Sequence, residues 1–238
     1  MPNANSDAAF PETRWSLVAD AGDTGEDATV ALEILCQCYW PPLYAFARRS
    51  GRSQADAEDL VQSFLQNVLA GGWLNRADAD RGKLRTFLLT SFRRHAKDLD
   101  AKAKAQKRGG GQVVSLEATE AESWYQTEGE SLADAESAFD RRWAQQLLTQ
   151  TLARLRAQAE KRNKQADFEA LRPYLTAEVD GETYNAIARE LSTTPGAAKV
   201  ALHRLRARFA ETLRDEVEQT LTENESVDDE LRYLIELL

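Results

Sequence analysis

The sequence predicts an all-α protein of two helical modules joined by an acidic linker, and three observations predict it. Apolar residues recur at helical spacing along most of the chain, with no run of alternating strand pattern. Helix punctuation falls between the periodic stretches: Gly51, Ser53, Gly71-Gly72, Gly109 to Gly111 and Thr194-Pro195. Charge is segregated into blocks that follow the same divisions.

In chain order, residues 1–27 read as an N-terminal extension. "LEILCQCYWPPLYAFARRSG" reads as a helix, an interruption at Pro41-Pro42, and a second helix closed by Gly51 as its C′ residue. "SQADAEDLVQSFLQNVLAGG" places Ser53 as N-cap, acids in the first turns, and Leu60, Phe64 and Val68 on one face. "RGKLRTFLLTSFRRHAKDLDAKAKAQKR" is a long helix, apolar early (Leu84, Phe87, Leu88, Leu89, Phe92) and almost wholly polar late. The first module thus spans residues 28–110. Residues 111–137, acidic, Ser/Thr-rich and weakly periodic, read as an extended linker. The second module spans 138–217, and 218–238 forms an acidic extension ending in the amphipathic "VDDELRYLIELL".

A chain of 238 residues, 42% apolar and 29% charged, is soluble and globular in class, neither disordered nor fibrous. It holds no run of apolar residues long enough to span a bilayer, and its start lacks a signal-peptide pattern, so a cytoplasmic location without membrane association is expected. Cys36 and Cys38 stand too close for a disulfide, and His95 and His203 lie far from them, so no metal and no cofactor are expected. No GxxxxGK[ST], HExxH or GxSxG occurs, and "KRGGG" follows a helix instead of a strand; a catalytic role is not expected.

The formal net charge of -9 conceals strong local contrast. Arg76 to Arg108 holds eleven Lys/Arg against four Asp, and Gln112 to Asp140 holds eight acids and no base. Gly196 to Arg214 nets +4, and Asp215 to Leu238 nets -8. An acidic average therefore does not exclude nucleic acid as partner.

"ETYNAIARELSTTPGAAKVALHRLRARFAETLR" is a two-helix unit. Tyr184, Ile187, Ala188 and Leu191 form one apolar stripe, Ser192 to Thr194 the turn, and Thr194 and Pro195 the N-cap and first position of the next helix. Ala198, Leu202, Leu205, Phe209 and Leu213 bury that second helix, which leaves Lys199, Val200, His203 and Arg204 outward. This is the layout of a helix-turn-helix whose second helix enters the major groove; a solvated basic face is the alternative.

Together with the upstream module, the segment resembles the extracytoplasmic-function (ECF) sigma factors of bacterial RNA polymerase. "TYNAIARELSTTPGAAKVALHRLRARF" is similar to their region four, and "ADAEDLVQSFLQNVL" with "RGKLRTFLLTSFRRHAKDLDAKAKAQKRGGG" to their region two. The likeness covers Trp15 to Val217, and "TRWSLV" and "AQKRGGG" resemble one branch of the family. It implies core RNA polymerase (clamp and flap) and promoter DNA as partners, with an anti-sigma protein or a kinase as candidate regulators and a monomer as the free state. Asp56, Glu58, Asp59 and Gln62 would meet the polymerase clamp; the same acids also suit a helix N-terminus. Arg85, Arg93, Arg94, Lys97 and Lys102 would grip the minus-ten element, although intrahelical pairs such as Asp98–Lys102 offer them a structural alternative. Gly196, Lys199, Val200, His203 and Arg204 would read the minus-thirty-five element, with Arg206 and Arg208 on phosphate or in solvent. Phe87 stands where the family commonly has Trp, and no Asn lies near Arg94, so the identity of the flipped minus-ten base is left open. A stand-alone helix-turn-helix regulator and a purely protein-docking module are the rival readings. For the C-terminal extension the charge contrast points to a fold-back that restrains activity; a helix that completes a core is the alternative.

Overall fold

The computed structural model describes residues 26–69, 82–105, 116–222 and 224–238. Among these residues every regular element is helical, as expected. The chain divides into two compact units, one formed by residues 1–146 with 218–238 and the other by 147–217.

The first unit opens with α1 (Glu26–Arg49), which runs unbroken through Pro41 and Pro42 where the sequence predicted an interruption. Pro41 cannot donate to the carbonyl of Gln37, and the amide Nε2 of Gln146 donates to that oxygen instead at 3.2 Å. Cys36 is half-buried and Cys38 buried within this helix, with no disulfide between them. Gly51 ends it at φ +90°, with the amide of Arg52 reaching back to the carbonyl of Ala47 at 3.3 Å. Next comes α2 (Gln54–Leu69), capped by Ser53, whose Oγ accepts from the Asp56 amide at 3.2 Å. Leu60, Phe64 and Val68 face α3 (Leu84–Ala105), whose Leu84, Leu88 and Phe92 are buried with them. Phe92 meets Phe64 and Phe46 edge-on, with centroids 5.2 and 6.0 Å away.

From residue 116 on, the stretch expected to be an extended linker is folded. Leu116–Thr127 form α4, followed by a short 3₁₀ turn at Gly129–Ser131. Ala118, Ala121, Trp124 and Tyr125 lie on one face and are buried, the two aromatics against Ala45 and Ala138. Gly129 is required there, because a Cβ would stand 2.6 Å from the Tyr125 ring. Glu122 fixes α4 onto α1: its carboxylate accepts from Arg48 Nε and Nη2 at 2.8 and 3.0 Å and from the Tyr44 hydroxyl. Burial alone would raise the Glu122 pKa, but these bonds outweigh it and hold the carboxyl below its ordinary range.

Residues 135–146 of α5 (Ala135–Lys161) complete the first unit with the C-terminal helix α9 (Val227–Leu237), whose N-cap Ser226 accepts from the Asp229 amide at 3.3 Å. Leu234 of α9 is buried, so the tail does complete a core.

In the second unit, the remainder of α5 packs with α6 (Gln165–Leu171), a 3₁₀ turn at Arg172–Tyr174, α7 (Gly181–Glu190) and α8 (Pro195–Glu218, its last residue in the first unit). Its core holds Leu155, Phe168, Leu171, Ile187, Ala188, Ala198, Leu202 and Leu205. Asp180 caps α7, its carboxylate accepting from the Thr183 amide at 2.8 Å. Ser192 takes φ +50° in the turn, and the Thr193 amide reaches the Ala188 carbonyl at 2.8 Å. Thr194 Oγ1 then caps α8 by accepting from the Ala197 amide at 3.2 Å. The apolar stripes predicted for this pair are the ones that pack, with Tyr184, Leu191 and Phe209 half-buried at the margin of the core and Leu213 half-buried further along α8.

Candidate polymerase and nucleic-acid interfaces

Three groups of side chains carry the functional expectations. On α2, Asp56, Asp59 and Gln62 are exposed and follow one another at three-residue steps, so they share a face. Glu58 does not join them. It is buried (7% exposed) and accepts from Gln54 Nε2 at 3.0 Å, because its position turns toward the core.

Along α3, Arg94, Lys97 and Lys102 are exposed, as phosphate-gripping cations must be. Arg85 departs from this expectation. Its guanidinium is buried between the Trp143 and Tyr233 rings, 5.1 and 4.9 Å from their centroids, and pairs with Asp140 and Glu230. Arg93 is half-buried over the Phe46 ring at 5.2 Å and paired with Glu136. The loop preceding α3, residues 70–81, and the glycine run after it lie outside the described residues, as do "TRWSLV" and the rest of residues 1–25 of the N-terminal extension.

Beside these cations, His95 is buried between α2 and α3, its Nε2 2.9 Å from Ser63 Oγ and its Nδ1 3.4 Å from the Asn67 amide nitrogen. Burial pushes its pKa down; Asp98 opposes this and Lys102 reinforces it. A base with a depressed folded pKa stabilises the fold fully above its unfolded value of about 6.5, and the contribution is lost as pH falls below that. The thermal midpoint of the first unit is therefore expected to fall between pH 7 and 5.5, and to fall less in His95→Gln. Equal falls in both proteins, read by circular dichroism, would remove His95 as the cause.

On α8, Lys199, Val200, His203 and Arg204 are all exposed, Val200 by 49% although apolar. A Cβ on Gly196 would meet nothing within 4 Å, so packing does not demand glycine there. The basic residues beyond this edge have different surroundings. Arg206 donates to the carbonyls of Tyr174 (2.8 Å) and Ala177 and so ties down the loop before α7, instead of facing solvent. Arg208 is exposed.

Among the described residues no helix is long and apolar enough to cross a membrane. Comparison with curated proteins and with solved structures yielded no match. Residues 35–107 match Sigma-70 region 2. That segment begins in α1 and contains the acidic face of α2 and the cationic face of α3. Residues 35–107, under half of the chain, are thus similar to region 2 of the sigma-70 family.

Proposed function

We propose that this chain is an ECF-type sigma factor that binds core RNA polymerase and directs promoter-specific initiation. The observation that carries the reading is the pairing of a region 2 segment with a separate unit bearing a capped helix-turn-helix. In this mechanism Asp56, Asp59 and Gln62 dock on basic side chains of the polymerase clamp, where such charge pairs set specificity and on-rate. Arg94, Lys97 and Lys102 hold minus-ten phosphates. The outward edge of α8 enters the major groove at the minus-thirty-five element. There Lys199 and Arg204 offer donors to guanine edges, Val200 suits a thymine methyl, and Gly196 allows close backbone approach. No cofactor is needed, and the free protein is a monomer.

Run-off transcription with purified core polymerase and a genomic promoter library tests this directly: discrete promoter-specific transcripts are expected. Reversing charge with Asp56→Arg plus Asp59→Arg should abolish co-purification with core polymerase while leaving the helical content intact. DNA binding without polymerase association in the parent protein would favour a stand-alone regulator. Polymerase association with no salt-dependent promoter affinity would favour a purely docking module.

A further inference from the structure

The charge reading of the sequence set the acidic tail against the basic helix Gly196 to Arg214; within the first unit its carboxylate goes elsewhere. Glu230, 2% exposed, pairs with Lys83 and with Arg85 at 3.0 Å. Tyr233, one turn on, donates its hydroxyl to Asp140 at 2.6 Å, and its ring covers the Arg85 guanidinium. Just before the tail helix, the Thr220 carbonyl accepts from the Leu84 amide at 3.3 Å and so occupies a donor of the α3 N-terminus. An unmatched carboxylate at this depth would cost several kcal/mol, so these contacts define where α9 sits.

The seam beneath is not closed by packing. A groove of about 500 Å³ lies along it, lined by Phe46, Arg93, Glu136, Asp140 and Tyr233. Polar contacts, with Leu234 as the buried apolar anchor, hold α9 beside an open groove. Lys83 and Arg85 are also cations at the leading end of α3, on the helix assigned to the minus-ten strand. A carboxylate and a phosphate compete for the same guanidinium, and both gain from a helix N-terminus.

We infer that α9 is an autoinhibitory clasp: Glu230 occupies Lys83 and Arg85 as a stand-in for nucleic-acid phosphate, and single-stranded DNA and the docked tail exclude one another. This rests on the assignment of α3 to DNA given above. With Glu230 withdrawn, Lys83 at the leading end of α3 is released to a phosphate, while Arg85 keeps Asp140 as its counter-charge.

The probe is fluorescently labelled oligo(dT) titrated with the full-length protein at several salt concentrations. Glu230→Gln is expected to bind it about tenfold more tightly than the parent. Each phosphate neutralised on a single strand adds about 0.7 to the salt slope, so the one released cation should steepen it by about that amount. Because Glu230→Gln is buried and can destabilise the unit, a second form carries a protease site inserted between Leu221 and Ser226. Cutting it after folding should produce the same gain, and α9 should become accessible to hydrogen exchange. Unchanged affinity and slope in both forms, with DNA still bound, overturns the clasp and leaves the sigma assignment standing. No DNA binding and no core polymerase association in any form overturns both.

Discussion

Replacing Glu122 by alanine is expected to destabilise the first unit by about 2–3 kcal/mol, a sizeable share of the 5–15 kcal/mol typical of whole domains. The carboxylate receives four donors at once, two from Arg48 and one each from Tyr44 and Gln126, and Tyr44 is fully buried. Removal leaves a phenol without its acceptor and a guanidinium, 17% exposed, without its counter-charge. That residual exposure keeps the figure below the 3–5 kcal/mol of a fully buried pair. A urea midpoint lower by about 1 M would report it, given slopes of about 1–3 kcal/mol per molar. Glu122→Gln, which still accepts from Tyr44, should fall between. The folded carboxyl is held below its ordinary pKa of 4.5, so its contribution is complete above that value and vanishes as pH drops through the depressed one. The stability gap between parent and Glu122→Ala should therefore shrink in acid. A midpoint unmoved at neutral pH would show that α4 is held by its apolar face alone.

On the DNA side, Lys199→Ala and Arg204→Ala in α8 should each cost holoenzyme about 1–3 kcal/mol at promoters selected for their minus-thirty-five element. Each 1.4 kcal/mol is a tenfold loss, so binding should weaken about 10- to 100-fold per substitution at fixed salt. The loss should be sequence-dependent: promoters lacking the element are affected little. Arg208→Ala serves as the contrast. If it meets phosphate, it should weaken all promoters alike and reduce the salt slope by about 0.9. Unchanged promoter selectivity in Arg204→Ala would remove it from the reading edge.

The two-helix unit of α7 and α8 was legible in detail because each of its signals is local. Thr194 and Pro195 cap and start a helix by their own chemistry, and the spacing of Ala198, Leu202 and Leu205 admits one buried face. Gly51 and Ser53 were legible for the same reason. The acidic stretch after Gly111 was misread because its stripe is made of small or amphipathic residues, Ala118, Ala121, Trp124 and Tyr125, interleaved with acids. The pattern Ala-x-x-Ala-x-x-Trp-Tyr is helical in spacing, and that was the available signal. The continuity of α1 through Pro41 and Pro42 had no local signal, since the compensating donor to Gln37, the side chain of Gln146, is over a hundred residues away.

By itself the sequence determined the all-α class, the resemblance to region two, and the face that α8 turns outward, because helical periodicity and capping act within one or two turns. Only the tertiary structure decided which charges remain available. Arg85 and Glu58 read as surface residues by type and spacing, yet both are buried, Arg85 by partners 55 and 145 residues along the chain. Charge counts along a segment cannot anticipate this, because whether an ion is solvated or paired is settled by what folds against it.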